Sequence, residues 1–259
     1  MKSCGLAQTS TTYVYNTIIE SIRNILIVMS KNLLPKHIAI IPDGNRRWAK
    51  SRGKSALEGH KFAIEQTMSK LFDTIHELEI PFCTIWLLSP ENFVKRSKGE
   101  VKNLLFLLKF FLKKKIKELD RKGIRLKVIG NMHNLPKDIQ DELNKAIETT
   151  KSNSKTTITF AINYGGRDEI IRTINKIIKN NKFDSMNIET FSEYLDTKEI
   201  PDPDLIIRTG GEKRTSGFLP WQSEYSEYIF LDTLFPDFTQ NALRDCVDEY
   251  SKRMRRFGK

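Results

Sequence analysis

The sequence is poor in cysteine and has no long apolar run. Its 259 residues include three cysteines, Cys4, Cys83 and Cys246, which lie far apart. This spacing matches neither a disulfide framework nor a zinc site, so we expect a protein of a reducing compartment, the cytoplasm. The longest apolar stretch, residues 101–119, is broken by lysines and falls short of the ~18 apolar residues of a membrane-spanning helix. The amino terminus lacks the uninterrupted apolar core and cleavage site of a signal peptide.

Several motifs of nucleotide and nucleic-acid binding are missing. The chain has no Gly-x-x-x-x-Gly-Lys-Ser/Thr pattern, which argues against an ATPase. It also has no helix-turn-helix, zinc or RNA-recognition signature. Lysine runs such as residues 113–117 are typical of a solvated helix face, so we expect no nucleic-acid partner. The net charge of +11 at pH 7 still favours anionic partners, such as phosphorylated small molecules or an acidic membrane surface.

The first 34 residues are predicted to form an extension ahead of the main domain. Apolar residues between Tyr15 and Leu33 recur at helical spacing, which predicts a helix. That helix could pack on the protein or lie on a membrane surface, and Met29 could also be the start of translation. Residues 35–259 contain no internal repeat, low-complexity linker or long Pro/Gly/Ser stretch. We therefore predict that they form one domain.

The main domain alternates short apolar runs with helical patterns. We predict strands at residues 38–41, 82–88, 126–129, 158–163, 205–208 and 228–230. We predict helices at residues 56–79, 100–122, 137–151, 167–180, 188–195 and 240–256. Strands that alternate with helices need crossover connections, so the expected fold is α/β, with a mainly parallel six-stranded sheet flanked by helices. Ligands of such sheets bind beyond the carboxyl ends of the strands.

A lone carboxylate follows the first predicted strand. The segment 37–50 contains a four-residue apolar run, then Pro42, Asp43 and a Gly-Asn turn, then two arginines that begin a helix-compatible stretch. The free N–H groups at a helix start suit a phosphate. Asp43 would repel a bare anion, so its presence suggests a metal ion between carboxylate and phosphate. The alternative, that Asp43 only caps the helix, stays open on this segment alone.

A second polar segment follows the predicted strand at 205–208. Arg208 ends the strand, two glycines allow a sharp turn, and Arg214 and Ser216 follow within eight residues. Two guanidinium groups and a hydroxyl around a glycine loop can hold a diphosphate through charge-assisted hydrogen bonds. Downstream, Glu227 precedes the last apolar run. It is either a second metal ligand or the partner of an arginine, and the ion pair is the simpler of the two.

The predicted helix at 100–122 has an unusually broad apolar face, which includes Leu104, Leu108 and Phe111. Such a face either fills the core of the domain or lines part of an apolar tunnel. The helical pattern by itself does not separate the two alternatives.

Together these segments resemble the cis-prenyltransferase family, which includes undecaprenyl diphosphate synthase. The blocks that carry the resemblance lie at residues 40–50, 59–61, 89–96, 163–167 and 205–227. The resemblance implies the fold of that synthase, with a hydrophobic tunnel, Mg²⁺ dependence and a homodimer. It also implies condensation of isopentenyl diphosphate with an allylic diphosphate of the farnesyl or geranylgeranyl class. The product would be a Z-polyprenyl diphosphate for a glycan carrier lipid, formed with release of pyrophosphate.

The resemblance also implies roles for single residues. Asp43 is the implied catalytic aspartate and metal ligand, Glu227 a second metal-linked carboxylate, and Asn92 a catalytic residue on a segment that closes over substrate. The implied substrate contacts are Gly44, Asn45, Arg46, Arg47, Trp48, His60, Ser89, Glu91, Phe93, Arg96, Arg208, Arg214, Ser216, Arg256 and Gly258. The last two match a C-terminal Arg-x-Gly element that reaches the partner subunit's diphosphate site.

Some residues depart from the family pattern. Lys95 could take the place of Arg96, because one extra residue precedes that arginine. Ala56 stands where some relatives have another phosphate-binding arginine. Leu87 stands where the bacterial undecaprenyl enzymes have a small residue beside the tunnel. A bulkier wall at that point predicts a short- to medium-chain product.

Two other functional classes stay open. A non-catalytic scaffold subunit of the same family would be expected to lose the block around Asp43, which is intact here. An enzyme of the same fold that acts without isopentenyl diphosphate would not need Arg208, Arg214 and Ser216. A basic surface and a lipid product are also compatible with peripheral contact at the cytoplasmic face of the membrane.

Overall fold

The computed structural model describes residues 34–180 and 185–253 of the chain. The predicted N-terminal helix, Arg256 and Gly258 lie outside these ranges. What the sequence predicts for them, including the division of the chain at residue 35, therefore stays a prediction.

A six-stranded sheet forms the centre of the fold. Its strands are β1 (His37–Ile41), β2 (Phe82–Leu88), β3 (Ile124–Ile129), β4 (Thr156–Ile162), β5 (Leu205–Arg208) and β6 (Glu227–Phe230). They lie in the order β3-β4-β2-β1-β5-β6, and every neighbouring pair is parallel. The α/β prediction is confirmed, and the sheet that we expected to be mainly parallel is parallel throughout.

The inner strands carry apolar residues on both faces. All residues of β1 and β4 are buried, because helices cover both sides of a parallel sheet and leave no solvated face. Successive side chains still point to opposite faces. On one face, Trp86 of β2 stacks on Phe218 with ring centroids 5.1 Å apart and donates its indole N–H to the Tyr164 carbonyl at 2.9 Å. Trp86 therefore packs in the core, on the other face of β2 from Leu87.

Helices of very different length flank the sheet. Within the described residues they are α1 (Asn45–Lys50), α2 (Ala56–Phe62), α3 (Ser69–Glu77), α4 (Pro90–Lys95), α5 (Lys98–Arg121), α6 (Lys137–Thr150), α7 (Gly166–Asn180), α8 (Ile188–Ser192) and α9 (Gln240–Lys252). Two short 3₁₀ turns lie at Met132–Asn134 and Phe235–Asp237. No helix in the described ranges combines the length and the apolar character needed to pass through a bilayer.

One predicted helix is not regular. The stretch predicted at 56–79 is helical, but a π-helical segment, Ala63–Met68, joins α2 to α3. Such segments occur mostly as local bulges and are frequent at functional sites. The sequence also did not predict α4, although Ser89 accepts a hydrogen bond from the Asn92 amide and Pro90 occupies the first turn, a common way for a helix to begin.

At the boundary between β1 and β5, the connections that follow the two neighbouring strands lead away from each other. From β1 the chain goes on to β2 on one side, and from β5 it goes on to β6 on the other. Ile41 and Arg208 are register partners at the carboxyl ends of these two strands. The loops that follow part over this boundary and leave a crevice there. Both polar segments singled out in the sequence begin at this crevice.

Candidate active site

The loop after β1 is tied to the loop after β5 by one hydroxyl. The Thr209 Oγ1 accepts from the Asp43 amide at 3.0 Å and donates to the Asp43 carbonyl at 2.8 Å. The Phe235 amide donates to the same carbonyl at 2.9 Å. These bonds hold the Asp43 backbone in place, so its side chain projects from a fixed position at the crevice. Sequence reasoning missed Thr209, whose only signal was a hydroxyl directly after a strand.

Gly44, not Asp43, is the N-cap of α1. Its φ is +108°, and a Cβ added there would lie 2.8 Å from Leu234 Cδ2. Both the backbone conformation and the close approach therefore require glycine. No side chain caps α1. The hypothesis that Asp43 serves as a helix cap is wrong, because its carboxylate bonds elsewhere.

The Asp43 carboxylate bridges two guanidinium groups. Its Oδ2 accepts from Arg208 Nη2 at 2.9 Å, and its Oδ1 accepts from Arg47 Nη2 at 3.2 Å. The Arg208 side chain is only 6% exposed, whereas that of Arg47 is 50% exposed. A Cβ at Gly210 would lie 2.6 Å from Arg47 Nη2, so the first glycine of the loop makes room for this arginine.

The loop after β5 folds back over Arg208. Arg208 Nη1 donates to Ser216 Oγ at 2.9 Å and also to the Arg214 carbonyl. Ser216 holds a φ of +53°, a strained conformation for a residue other than glycine. The predicted pair of Arg208 and Ser216 is thus brought together. The Arg214 guanidinium is 62% exposed and pairs with Glu212.

Three side chains at the crevice keep polar atoms without a protein partner. Asn45 Nδ2 lies 3.3 Å from His60 Nδ1. Among the described residues, Asn45 Oδ1, His60 Nε2 and Arg208 Nε are buried and unpaired. Burial lowers the pKa of His60 to about 4, and the nearby charges of Arg96 and Arg46 act in the same direction. His60 is therefore neutral near pH 7. With Asn45 donating to Nδ1, the proton lies on Nε2, which is then free to donate to an anion.

The segment around α4 positions a further arginine. The Asn92 side chain donates from Nδ2 to Ser89 Oγ at 2.9 Å, and its Oδ1 accepts from Arg96 Nε at 2.9 Å. Arg96 Nη1 also donates to Glu100 Oε1 at 3.2 Å. Arg96 lines the crevice whereas Lys95 is exposed, so the structure places the arginine, not the lysine, at the site. Sequence reasoning missed Glu100, since an acid in the first turn of a helix is common for capping alone.

These residues enclose a polar cavity of about 320 Å³. It is lined by Pro42, Asp43, Gly44, Asn45, Arg46, Arg47, His60 and Arg96. Guanidinium groups outnumber carboxylates in this lining, so the cavity favours an anion. A narrower apolar cavity of about 80 Å³ adjoins it and shares four of its lining residues. Leu87, Leu88 and Ile64 line the apolar cavity, together with Leu104, Leu105 and Leu108 of α5.

Several predicted site residues lie away from the polar cavity. Glu91 is exposed. Trp48 is buried, donates to Asp237 Oδ1 at 2.8 Å and stacks on Phe62. Phe93 lines a separate groove on the outer side of α5. The substrate contacts implied for these three residues stay predictions.

Glu227 lies at the amino ends of the strands, whereas Asp43 lies at their carboxyl ends. Glu227 is the first residue of β6 and the register partner of Leu205. Its carboxylate accepts from Arg253 Nη1 at 2.7 Å. This is the ion pair that the sequence left open, although with an arginine that we had not considered. The two predicted metal ligands are therefore not brought together within one chain.

The described residues contain no cluster of three or more His, Cys, Asp or Glu side chains arranged for a metal ion. Asp43 nevertheless offers one carboxylate, 33% exposed, at the mouth of a cationic cavity. Mg²⁺ is usually held by one or two carboxylates together with substrate phosphates, rather than by a cage of protein ligands. The donor set therefore fits a Mg²⁺ ion that a diphosphate shares with Asp43.

Comparison with known proteins gives a consistent result. Residues 41–258 match the family model described as putative undecaprenyl diphosphate synthase. The isoprenyl transferase of Treponema denticola is 46% identical over 223 residues, which cover 86% of this chain and 97% of that protein. The isoprenyl transferase of Clostridium perfringens is 40% identical over 237 residues, covering 90% and 93%.

Solved structures agree with these matches. Lavandulyl diphosphate synthase from Lavandula x intermedia, in complex with dimethylallyl diphosphate, has a TM-score of 0.84 and 37% identity over 88% of this chain and 100% of that chain. A probable undecaprenyl diphosphate synthase from Campylobacter jejuni has a TM-score of 0.74 and 32% identity, covering 87% and 99%.

Proposed function

The chain belongs to the undecaprenyl diphosphate synthase family of prenyl transferases, and on this premise we propose that it condenses isopentenyl diphosphate with an allylic diphosphate. The observation that carries the proposal is the cationic cavity at the ends of β1 and β5, which opens onto an apolar cavity. A ligand with a diphosphate head and an isoprenoid tail matches both parts. The solved relative from Lavandula binds dimethylallyl diphosphate, a ligand of this chemical class.

The arginines of the polar cavity suit the charge that develops during the reaction. When the allylic C–O bond breaks, negative charge grows on the departing pyrophosphate. Arg47 and Arg96 line the cavity and can donate to that charge as it forms, which stabilises the transition state more than the ground state. His60 Nε2 has no protein partner in the described structure, so its N–H is a further group that can donate to the bound diphosphate.

We assign the second diphosphate, that of isopentenyl diphosphate, to the loop after β5. Arg208 and Ser216 are already bonded to each other, so a diphosphate that contacts both meets a preorganised pair. Arg214 is exposed, and its pairing with Glu212 can open to bring a second guanidinium to the ligand. Asp43 lies between the two groups of arginines through its bonds to Arg47 and Arg208.

We propose that the reaction depends on Mg²⁺, held by Asp43 and the substrate diphosphate. When bound, Mg²⁺ would supply positive charge to the leaving oxygens. Asp43 places that charge, Asn92 positions Arg96 through a hydrogen bond of 2.9 Å, and no covalent enzyme nucleophile is needed.

We propose a homodimer in which the C-terminal segment serves the partner's site. Arg253 bonds to Glu227 at 2.7 Å, so the segment that leads to Arg256 and Gly258 begins beside Glu227. Glu227, Arg256 and Gly258 would then act on the partner subunit's diphosphates and metal ion.

The apolar cavity is proposed to accept the growing chain. Each methylene that it buries contributes roughly 0.8 kcal/mol, and Leu87 stands in its wall. A bulky wall favours a short- to medium-chain Z-polyprenyl diphosphate, made from a farnesyl or geranylgeranyl primer for a glycan carrier lipid. We expect a cytoplasmic enzyme with peripheral contact at the membrane face.

Incorporation of radiolabelled isopentenyl diphosphate, with and without Mg²⁺, tests the proposal. We expect incorporation by the wild type with Mg²⁺ and almost none by Asp43→Asn. The matched control is Asp141→Asn, the same exchange at a carboxylate that is 60% exposed on α6, which should retain activity. A scaffold subunit would give no incorporation under any condition. An enzyme that acts without isopentenyl diphosphate would consume allylic diphosphate and incorporate no label.

A further inference from the structure

A groove of about 710 Å³ lies on the outer side of α5, facing α6. Apolar and lysine side chains of α5 line it on one side, and the start of α6 lines it on the other. None of these residues lines the polar cavity. The volume falls within the range of roughly 300–1,000 Å³ that is usual for small-molecule sites.

The groove exposes large apolar side chains. Phe106 is 64% exposed and Phe110 is 45% exposed, while Val101, Leu105 and Ile139 form a buried floor. Exposed aromatic residues that continue into a buried apolar floor are typical of a binding surface rather than of a solvated helix face. The broad apolar face of α5 therefore does not only fill the core.

Lysines surround this apolar floor. Lys109 pairs with Asp138 at 2.6 Å, and Lys113 lies 3.9 Å from Glu142. In the part of the chain that the structure describes, Lys98 and Lys102 have no recorded ion pair, and both are exposed. They are one helical turn apart, so their ammonium groups lie on the same side of α5. That end of the rim is left with uncompensated positive charge.

We propose that this groove binds a single-chain isoprenoid phosphate, with the chain along Phe106 and Phe110 and the phosphate at Lys98 and Lys102. The choice of an isoprenoid chain rests on the proposed function. Leu105 lines both the groove and the inner apolar cavity, so a product that leaves the catalytic site has this groove as its neighbour. A concave groove of bounded volume fits one chain and its head better than it fits a flat bilayer surface.

Calorimetry with the full-length protein and dodecyl phosphate, below its micellar concentration, tests the proposal without catalysis. Saturating inorganic pyrophosphate with Mg²⁺ occupies the polar cavity during the titration. We expect the wild type to bind, and Phe106→Ser and Lys102→Glu each to bind about tenfold more weakly. The matched controls are Ile178→Ser, at a side chain 66% exposed on α7, and Lys117→Glu, at an exposed lysine of α5 outside the groove. Both should bind as the wild type does.

Equal affinity in the groove variants and the controls overturns the proposal. So does equal affinity for butyl phosphate and dodecyl phosphate, because the groove would then contribute nothing to the chain. If Phe106→Ser loses binding to phosphatidylglycerol vesicles but retains that to dodecyl phosphate, the face contacts a bilayer and the proposal is wrong. Groove-dependent binding by a protein that fails to incorporate isopentenyl diphosphate would overturn the proposed function alone. Thermal unfolding of each variant checks that it is folded.

Discussion

Asp43 is bonded to two arginines that the proposed function assigns to the substrate diphosphates. The carboxylate accepts from Arg47 at 3.2 Å and from Arg208 at 2.9 Å, and both guanidinium groups are proposed diphosphate contacts. If Asp43 places Mg²⁺, removal of its charge should raise the affinity for pyrophosphate in the absence of Mg²⁺ and lower it in the presence of Mg²⁺. The informative exchange is Asp43→Asn, which keeps the shape of the side chain and removes its charge.

The size of the effect follows from the electrostatics of the cavity. Two like unit charges about 5 Å apart repel by roughly 3 kcal/mol at an effective dielectric constant of about 20. The Asp43 side chain is 33% exposed, so solvent and salt reduce the repulsion to about 1–2 kcal/mol. Without Mg²⁺, Asp43→Asn should therefore bind inorganic pyrophosphate about tenfold more tightly than the wild type does. With Mg²⁺ the order should reverse.

Isothermal titration calorimetry in EDTA and in excess Mg²⁺ measures both affinities, with Asp141→Asn as the matched control. Pyrophosphate binding that is weaker in Asp43→Asn under both conditions would refute the reasoning, because Asp43 would then serve the site only through its structure. A second readout comes from stability. Arg208 is 6% exposed and loses a charged partner in the variant, so the free energy of unfolding without ligand should fall by about 1–3 kcal/mol. Pyrophosphate should recover part of this loss.

Two further predictions concern product length and pH. Leu87→Ala enlarges the apolar cavity of about 80 Å³, so mass spectrometry should show longer products from the same primer, and an unchanged length would exclude this wall. Burial lowers the pKa of His37 to about 4, from the 6.5 that is usual for a histidine in an unfolded chain. The unfolded chain therefore takes up a proton first, and stability is lost as the pH falls from 6.5 towards 4. Between pH 7 and 4.5 this should cost about 2.5 kcal/mol. Urea unfolding of His37→Gln should lack that part of the pH dependence; an identical dependence in both proteins would count against it.

The strands could be predicted because burial leaves a local mark on the sequence. In β1 and β4, helices on both faces require apolar residues in succession, and the predicted runs 38–41 and 158–163 fall within one or two residues of the observed bounds. β4 begins earlier than predicted because Thr156 and Thr157 are polar yet buried. Their β-branched shape suits a strand, but their polarity hid them from a search for apolar runs.

The helical interruptions could not be predicted in the same way. The π-helical segment Ala63–Met68 contains no proline or glycine from which an irregular helix could be predicted. It is stabilised by its tertiary surroundings, where Thr67 donates to the Pro236 carbonyl at 2.9 Å. The short helix α4 did have a local signal in Ser89 and Pro90, which the search for apolar periodicity passed over because the helix buries no residue completely.

In the candidate site, too, some residues could be predicted from local sequence and others could not. Asp43, Arg208 and Ser216 could be predicted as site residues because they lie in two polar segments that begin at the carboxyl ends of predicted strands. The confirmed parallel sheet brings those carboxyl ends to the same side of the sheet. Trp48 was implied by motif position alone, and for Glu227 the sequence left open a metal ligand or an ion pair. Their neighbours, Asp237 and Arg253, are too distant in sequence to be inferred from spacing.

The sequence by itself determined the α/β class, the family and the chemical character of the site, because apolar runs, glycine turns and clustered arginines act over a few residues each. Only the tertiary structure decided which of these groups meet. It set the two bonds of Asp43, the unpaired atoms of Asn45 and His60, and the separation of Glu227 from the cavity. Contacts of this kind depend on the order and register of the strands, and those follow from how the whole chain packs rather than from any one segment.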